Sequence, residues 1–235
     1  MVSWVLSVVF ASIIGINPIN TSLFTHGQPR SSISGRIPFG HGALLPVLQG
    51  YRRPNDKIAD WLRQGVLLPV KRGLYVVADA AQSSCLPLVA NRLYGPSCVS
   101  LDYALAWHGL IPERTHEVTS VCLGRGRHIT NALGRFSYTR LPAALYPCGI
   151  TQASASAQET FLIASPAKAL CDKVLLTPRL CAGSRTAMRR FLFDDLRIDA
   201  DALRGLDLEV IRSYAQGRVK AAQLRALLEV IETLA

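Results

Sequence analysis

The chain has 235 residues, a formal net charge of +10 and a pI near 9.7, with 49% hydrophobic and 18% charged residues. It is too long and too aliphatic to need a disulfide framework, and it has room for one large or two modest globular domains. The basic excess is concentrated early: residues 1–40 carry two basic and no acidic side chains, residues 41–78 carry six against two, and the remainder is mixed in sign. That asymmetry is expected of two domains, one facing a polyanion and one doing different work.

Residues 1–40 are left unassigned. Trp4 to Ile16 is strongly apolar, no Lys or Arg precedes Arg30, and Gly, Pro, Ser and Asn follow. An export signal wants an early positive charge, and the run is shorter than the ~20 residues needed to cross a bilayer. A helix packed on the next domain or non-native upstream sequence is expected over a weak signal.

From Tyr51 to Val77 the sequence reads YRRPNDKIADWLRQGVLLPVKRGLYVV. Ile58, Trp61 and Leu62 fall at i, i+3 and i+4, with Asn55, Lys57, Asp60, Arg63 and Gln64 on the remaining face. Arg53 precedes a proline and leaves the α region, Pro54 or Asn55 opens the helix, and Gly65 stands where a glycine ends one. Two aliphatic runs follow, Val66 to Val70 and Leu74 to Val77, joined by Lys71, Arg72 and Gly73 as the tip of a hairpin. Pro69 cannot donate to a ladder, which puts the first strand at a sheet edge.

Arg52, Arg53, Lys57, Arg63, Lys71 and Arg72 outnumber Asp56 and Asp60 in this segment. Order and spacing predict a winged helix-turn-helix over residues 41–79 that meets double-stranded DNA. Asn55 and Lys57 are placed near base edges, Lys71 and Arg72 on the phosphate backbone, and Arg52, Arg53 and Arg63 complete the DNA-binding set.

Residues 80–235 predict a mixed α/β domain ending in helices, so the fold class expected is α+β. Helices are expected over Leu86–Tyr94, stopped by Gly95 and Pro96, and over Val99–His108, with Ser100 as N-cap. Short strands are expected at Val118–Leu123, Gly134–Leu141 and Phe161–Ile163. GRGRHITNALGR between the first two lacks a P-loop ending and is read as a solvated hairpin loop, with Arg125, Arg127 and Arg135 as secondary anion contacts. Ser165 and Pro166 open another helix, on which Lys168, Asp172 and Lys173 are read as surface ion pairs. Further helices cover Arg185–Leu196, Ala200–Leu203, Leu208–Tyr214 and Val219–Leu234. The last lines Ala221, Leu224, Leu228, Ile231 and Ala235 along one face, with Leu227 and Leu234 beside it.

The six cysteines stand singly, without zinc spacing; most read as small buried hydrophobes, and the set as reduced thiols in a cytoplasm. His108, His116 and His128 lie far from any acidic cluster with nuclease spacing, and no nucleophile elbow or paired carboxylates appear. No enzyme, cofactor, metal or membrane association is expected.

Against that reading, PNDKIADWLRQG followed by VKRGLYVV, then ANRLYGPSCVSLDYALAWHGLIPE, VTSV, LGRFSYTRLP, FLIASPAKALCDKV and DDLRID resemble the AbiEi-type antitoxins of type IV toxin–antitoxin (abortive infection) systems, from about residue 41 onward. The resemblance implies a winged helix-turn-helix that represses its own operon by binding promoter repeats. It also implies a C-terminal domain that neutralises a partner toxin of the nucleotidyltransferase class. By position, DNA contact falls on Asn55, Lys57, Lys71 and Arg72, and no residue is assigned to neutralisation. Pro69 departs from the family, whose wing strand often has a basic or polar residue there. The alternatives are a transcription regulator without a toxin partner and, behind it, a nuclease-like enzyme.

Overall fold

The computed structural model describes residues 37–234 and, ahead of them, a two-rung antiparallel ladder pairing Phe24–Thr25 with Gln28–Pro29. The readings offered for the apolar run from Trp4 to Ile16, and the place given to Ala235 on the last helix, lie outside the described residues. The chain is mixed α+β, and it divides into two compact units. One holds the residues up to Leu93 together with Thr130–Leu133 and Ser154–Thr160; the other holds Tyr94–Ile129, Gly134–Ala153 and the residues from Phe161 onward.

In the first unit, β1 (Phe39–Gly40) leads into α1 (His41–Leu44), α2 (Pro54–Arg63) and the hairpin β2 (Leu67–Lys71) and β3 (Leu74–Val77). A 3₁₀ turn over Ala78–Ser83 and helix α3 (Leu86–Leu93) follow. The three strands are ordered β1-β3-β2, so β2, with its exposed Pro69, lies at an edge. Pro54 occupies the first turn of α2, the preceding Arg53 has extended φ of −135°, and Gly65 ends the segment at φ +70°, a conformation glycine adopts without strain.

The apolar face of α2 does what its spacing implies: Ile58 and Trp61 join Leu44, Leu48, Leu67, Tyr75 and Val77 in one buried cluster, with Phe39, Leu62 and Val66 packed against it. Each aliphatic side chain buried there contributes about 1.5–3 kcal/mol of transfer free energy. The unit runs past the expected boundary at residue 79 because α3 is fastened to it. Arg92 donates from its guanidinium to Pro38 O at 2.8 Å, and Lys71 donates to the last carbonyls of α3.

A six-stranded sheet lies mostly in the second unit, with its residues 130–131, 154–156 and 159–160 falling in the first. Its strands are β4 (Ser97–Val99), β5 (Glu117–Cys122), β6 (Arg127–Asn131), β7 (Gly134–Arg140), β8 (Ile150–Ser156) and β9 (Glu159–Ala164), ordered β8-β9-β4-β5-β7-β6. β4 pairs antiparallel with β5, while β5 with β7 and β4 with β9 are parallel. Helices α4 (Leu101–Trp107) and α5 (Pro166–Leu176) pack on each other, and α6 (Arg185–Arg190), α7 (Ala200–Arg204), α8 (Leu208–Ala215) and α9 (Ala221–Glu232) close the chain.

Three expectations are corrected here. The segment read as a solvated loop contains β6, with only Ala132 and Leu133 between β6 and β7. Ser97–Val99 forms a buried strand ahead of the shortened helix α4. The buried stripe of α9 runs through Leu224, Ala226, Leu227, Val230 and Ile231, leaving Leu228 half-buried. Among the described residues no helix is long and apolar enough to cross a membrane.

Candidate nucleic-acid interface

The seven predicted contact residues all lie in the first unit, on α2, just before it, or on the hairpin. Their environments differ. Arg52 and Arg72 are exposed and have no ion-pair partner among the described residues. Arg53 lies 3.6 Å from Asp56, and Arg63 lies 3.2 Å from Asp60; both arginines keep more than three quarters of their side chains in water. Exposed pairs of this kind are worth about 0–1 kcal/mol, so either guanidinium can be drawn to a phosphate.

Lys57 is held down: its ammonium is 3.6 Å from Asp60 and lies over the Trp61 and Tyr51 rings at 5.6 and 5.8 Å. Asp60 also accepts from Gln64 at 2.9 Å, so one carboxylate gathers the polar groups of the helix's second half. Lys71 departs furthest from its expected role. Instead of standing free at the hairpin tip, Nζ donates to Arg92 O at 2.9 Å and Leu93 O at 2.8 Å. Carbonyls at a helix C-terminus lack intrahelical partners and carry the negative end of the dipole, which is why an ammonium settles there.

Sequence reasoning missed His41, which links the two predicted contact points. Its backbone N–H donates to Gly73 O at 2.8 Å, and its Nε2 donates to Asn55 Oδ1 at 3.0 Å. The hairpin turn and the first turn of α2 are thereby brought to one residue. Asn55 is exposed, and its carboxamide carries two N–H donors besides the oxygen that accepts from His41. A single histidine in a four-residue helix carries no periodic signal that would have singled it out.

The second unit holds a different polar cluster, fully buried. Lys168 and Asp172 have no exposed side-chain surface and stand 3.4 Å apart, contrary to the surface pairing expected. Asp172 Oδ2 accepts from Ser100 Oγ at 2.7 Å, and Oδ1 accepts from Tyr214 OH at 2.5 Å. Lys168 Nζ donates to Tyr214 OH at 2.8 Å and to Leu145 O at 3.3 Å. Burial pushes the Asp172 carboxyl up from the usual range, with Lys168 and the hydroxyl donors pulling it back. Ser100 occupies the N-cap position of α4 without capping it, because its hydroxyl is committed to Asp172. Ser165 does cap α5, accepting from Lys168 N at 3.2 Å.

Lys173 pairs with Asp102 at 2.6 Å on the wall of an open cleft of about 370 Å³ that also includes Glu113, His116, Glu117, Arg135 and Asp195. Two of its four carboxylates are ion-paired, Asp102 with Lys173 and Glu113 with Arg197, and Glu117 lies 3.7 Å from the His128 ring. Among the described residues no group of three His, Cys, Asp or Glu side chains is arranged to hold a metal ion, and the six cysteines are free thiols.

No family model matches the chain, and no curated protein matches it. Among solved structures it is similar to the RV2827C protein from Mycobacterium tuberculosis, with a TM-score of 0.52 and 14% identity over 83% of this chain and 72% of that one. At that identity the likeness is one of fold.

Proposed function

We propose that the first unit is a winged helix-turn-helix that binds duplex DNA, with α2 as the recognition helix and the β2–β3 hairpin as the wing. The observation that carries this reading is His41, whose backbone and ring tie the Arg72–Gly73 turn and Asn55 to one point. Arg52, Arg53, Arg63 and Arg72 supply the phosphate contacts, while Asn55 presents its donor to base edges. Lys57 and Lys71 leave the contact set because both ammonium groups are already engaged.

Together with the resemblance to AbiEi-type antitoxins, this supports a cytoplasmic autorepressor that acts as the antitoxin of a type IV toxin–antitoxin system against a nucleotidyltransferase-type toxin. In this reading the second unit does the neutralising, and the protein is not an enzyme. Binding of the purified protein to the duplex upstream of its own reading frame, measured across a salt series, tests the first part. Absence of salt-dependent binding refutes it. Co-expression with the product of the adjacent reading frame tests the second: relief of growth arrest supports the antitoxin role, and its absence leaves a regulator without a toxin partner.

A further inference from the structure

The hairpin tip is fastened on three sides, each by a residue remote from it in sequence. On β3's side, His41 N donates to Gly73 O. On β2's side the ladder pairs Pro69 with Tyr75 and then Lys71 with Leu74, so Val70 is an inserted residue, left without a ladder partner. A bulge of this kind leaves backbone groups of the extra residue to be satisfied elsewhere. Asn131 meets that need, its Nδ2 donating to Val70 O at 3.0 Å. The Asn131 side chain is itself fixed, its Oδ1 accepting from Leu133 N at 2.9 Å. Lys71, next along, is bound by its ammonium to the carbonyls of Arg92 and Leu93. Between these anchors one long side chain, Arg72, is left without a partner among the described residues.

We infer that Lys71 and Asn131 are positioning residues that hold the Arg72–Gly73 turn ordered in the free protein, so that Arg72 alone makes the hairpin's phosphate contact. The inference rests on the nucleic-acid reading for its purpose, though not for its geometry. A tip ordered before binding spares the complex the entropy of ordering it afterwards, which is worth roughly 0.5–1.5 kcal/mol per immobilised side chain, or about two- to twelvefold in affinity. A phosphate contact has another signature: each one lost reduces the slope of log K against log salt by about 0.9.

The experiment uses the full chain and the variants Lys71→Met, Lys71→Arg, Asn131→Ala and Arg72→Ala, all confirmed folded by melting. Backbone ¹⁵N heteronuclear NOEs at Arg72 and Gly73 are measured without DNA, and binding to a duplex from the region upstream of the reading frame is measured across a salt series. Lys71→Met and Asn131→Ala are expected to lower the NOEs at the turn and to weaken binding about three- to tenfold at an unchanged slope. Lys71→Arg, which keeps a donor, restores both, and Arg72→Ala lowers the slope with the NOE at Gly73 intact. A Lys71→Met protein with wild-type NOEs and a slope reduced like that of Arg72→Ala makes Lys71 a phosphate contact and overturns the inference. If the wild-type chain binds no duplex, the nucleic-acid reading falls, and the NOEs still decide whether Lys71 and Asn131 order the turn.

Discussion

Replacing Lys168 by Met removes the positive partner of a carboxylate that has no access to water. In the wild-type protein Nζ lies 3.4 Å from Asp172 Oδ2, with neither side chain exposed. At an effective dielectric constant of about 20, two unit charges at that separation attract by about 5 kcal/mol. Methionine fills a similar volume and relieves the desolvation of the ammonium, yet it leaves Asp172 with only the Ser100 and Tyr214 hydroxyls, so the net loss is expected to be about 3–5 kcal/mol. For a chain of this size that corresponds to a fall in Tm of about 6–20 °C. Urea unfolding followed by circular dichroism, repeated across a pH series, measures it. The Asp172 carboxyl is already raised by burial, and loss of Lys168 raises it further. A carboxyl raised in the folded state contributes stability below its unfolded pKa and loses it as pH rises through the folded value. The gap between variant and wild type therefore narrows on acidification and widens toward neutral pH. A loss under about 1 kcal/mol at neutral pH, or a gap that grows on acidification, refutes the account of a charged, mutually dependent pair.

Counting only the four cations left available, Arg52, Arg53, Arg63 and Arg72, the slope of log K against log salt for one bound copy is expected near −3.6; a value near −5.4 would show that Lys57 and Lys71 also reach phosphates. Trp61→Ala, at a side chain only 1% exposed in the first unit's core, is expected to cost about 3–5 kcal/mol and to abolish DNA binding, read by thermal melting and gel shift. Gly149→Ala puts a Cβ 2.9 Å from that of Lys168 at φ +71°, and a loss of about 1–3 kcal/mol is expected in urea unfolding; a neutral result would show that α5 moves aside freely.

The parts of the fold that could be read from sequence are those whose local chemistry repeats. Ile58, Trp61 and Gly65 mark α2 because apolar spacing and a positive-φ stop act within one segment, and Ser165 with Pro166 marks the start of α5 in the same way. β1 and α1 were illegible because two and four residues are too few for any period to show. β6 passed for a loop because its exposed residues Arg127, His128 and Thr130 give no apolar alternation, and β8, ITQASAS, is polar on both sides for a similar reason. Lys168 and Asp172 have the spacing of a surface pair. What buries them is Tyr214, 42 residues beyond Asp172, and no local pattern reports that. Within the candidate interface the charges were legible and their commitments were not. Lys71 and Arg72 are neighbours in sequence, and only the carbonyls of a helix some twenty residues on distinguish an anchor from a free cation.

Pro69 bears on how several copies tolerate one another. A sheet edge that shows an unbroken row of amides invites a second strand, and hence growth from molecule to molecule. Here the outer strand β2 contains a proline that cannot donate and a bulge at Val70, while the opposite edge, β1, is two residues long. Neither margin can template another chain. A protein proposed to crowd along the repeats of one promoter can therefore reach high local concentration without this three-stranded sheet taking on strands from its neighbours.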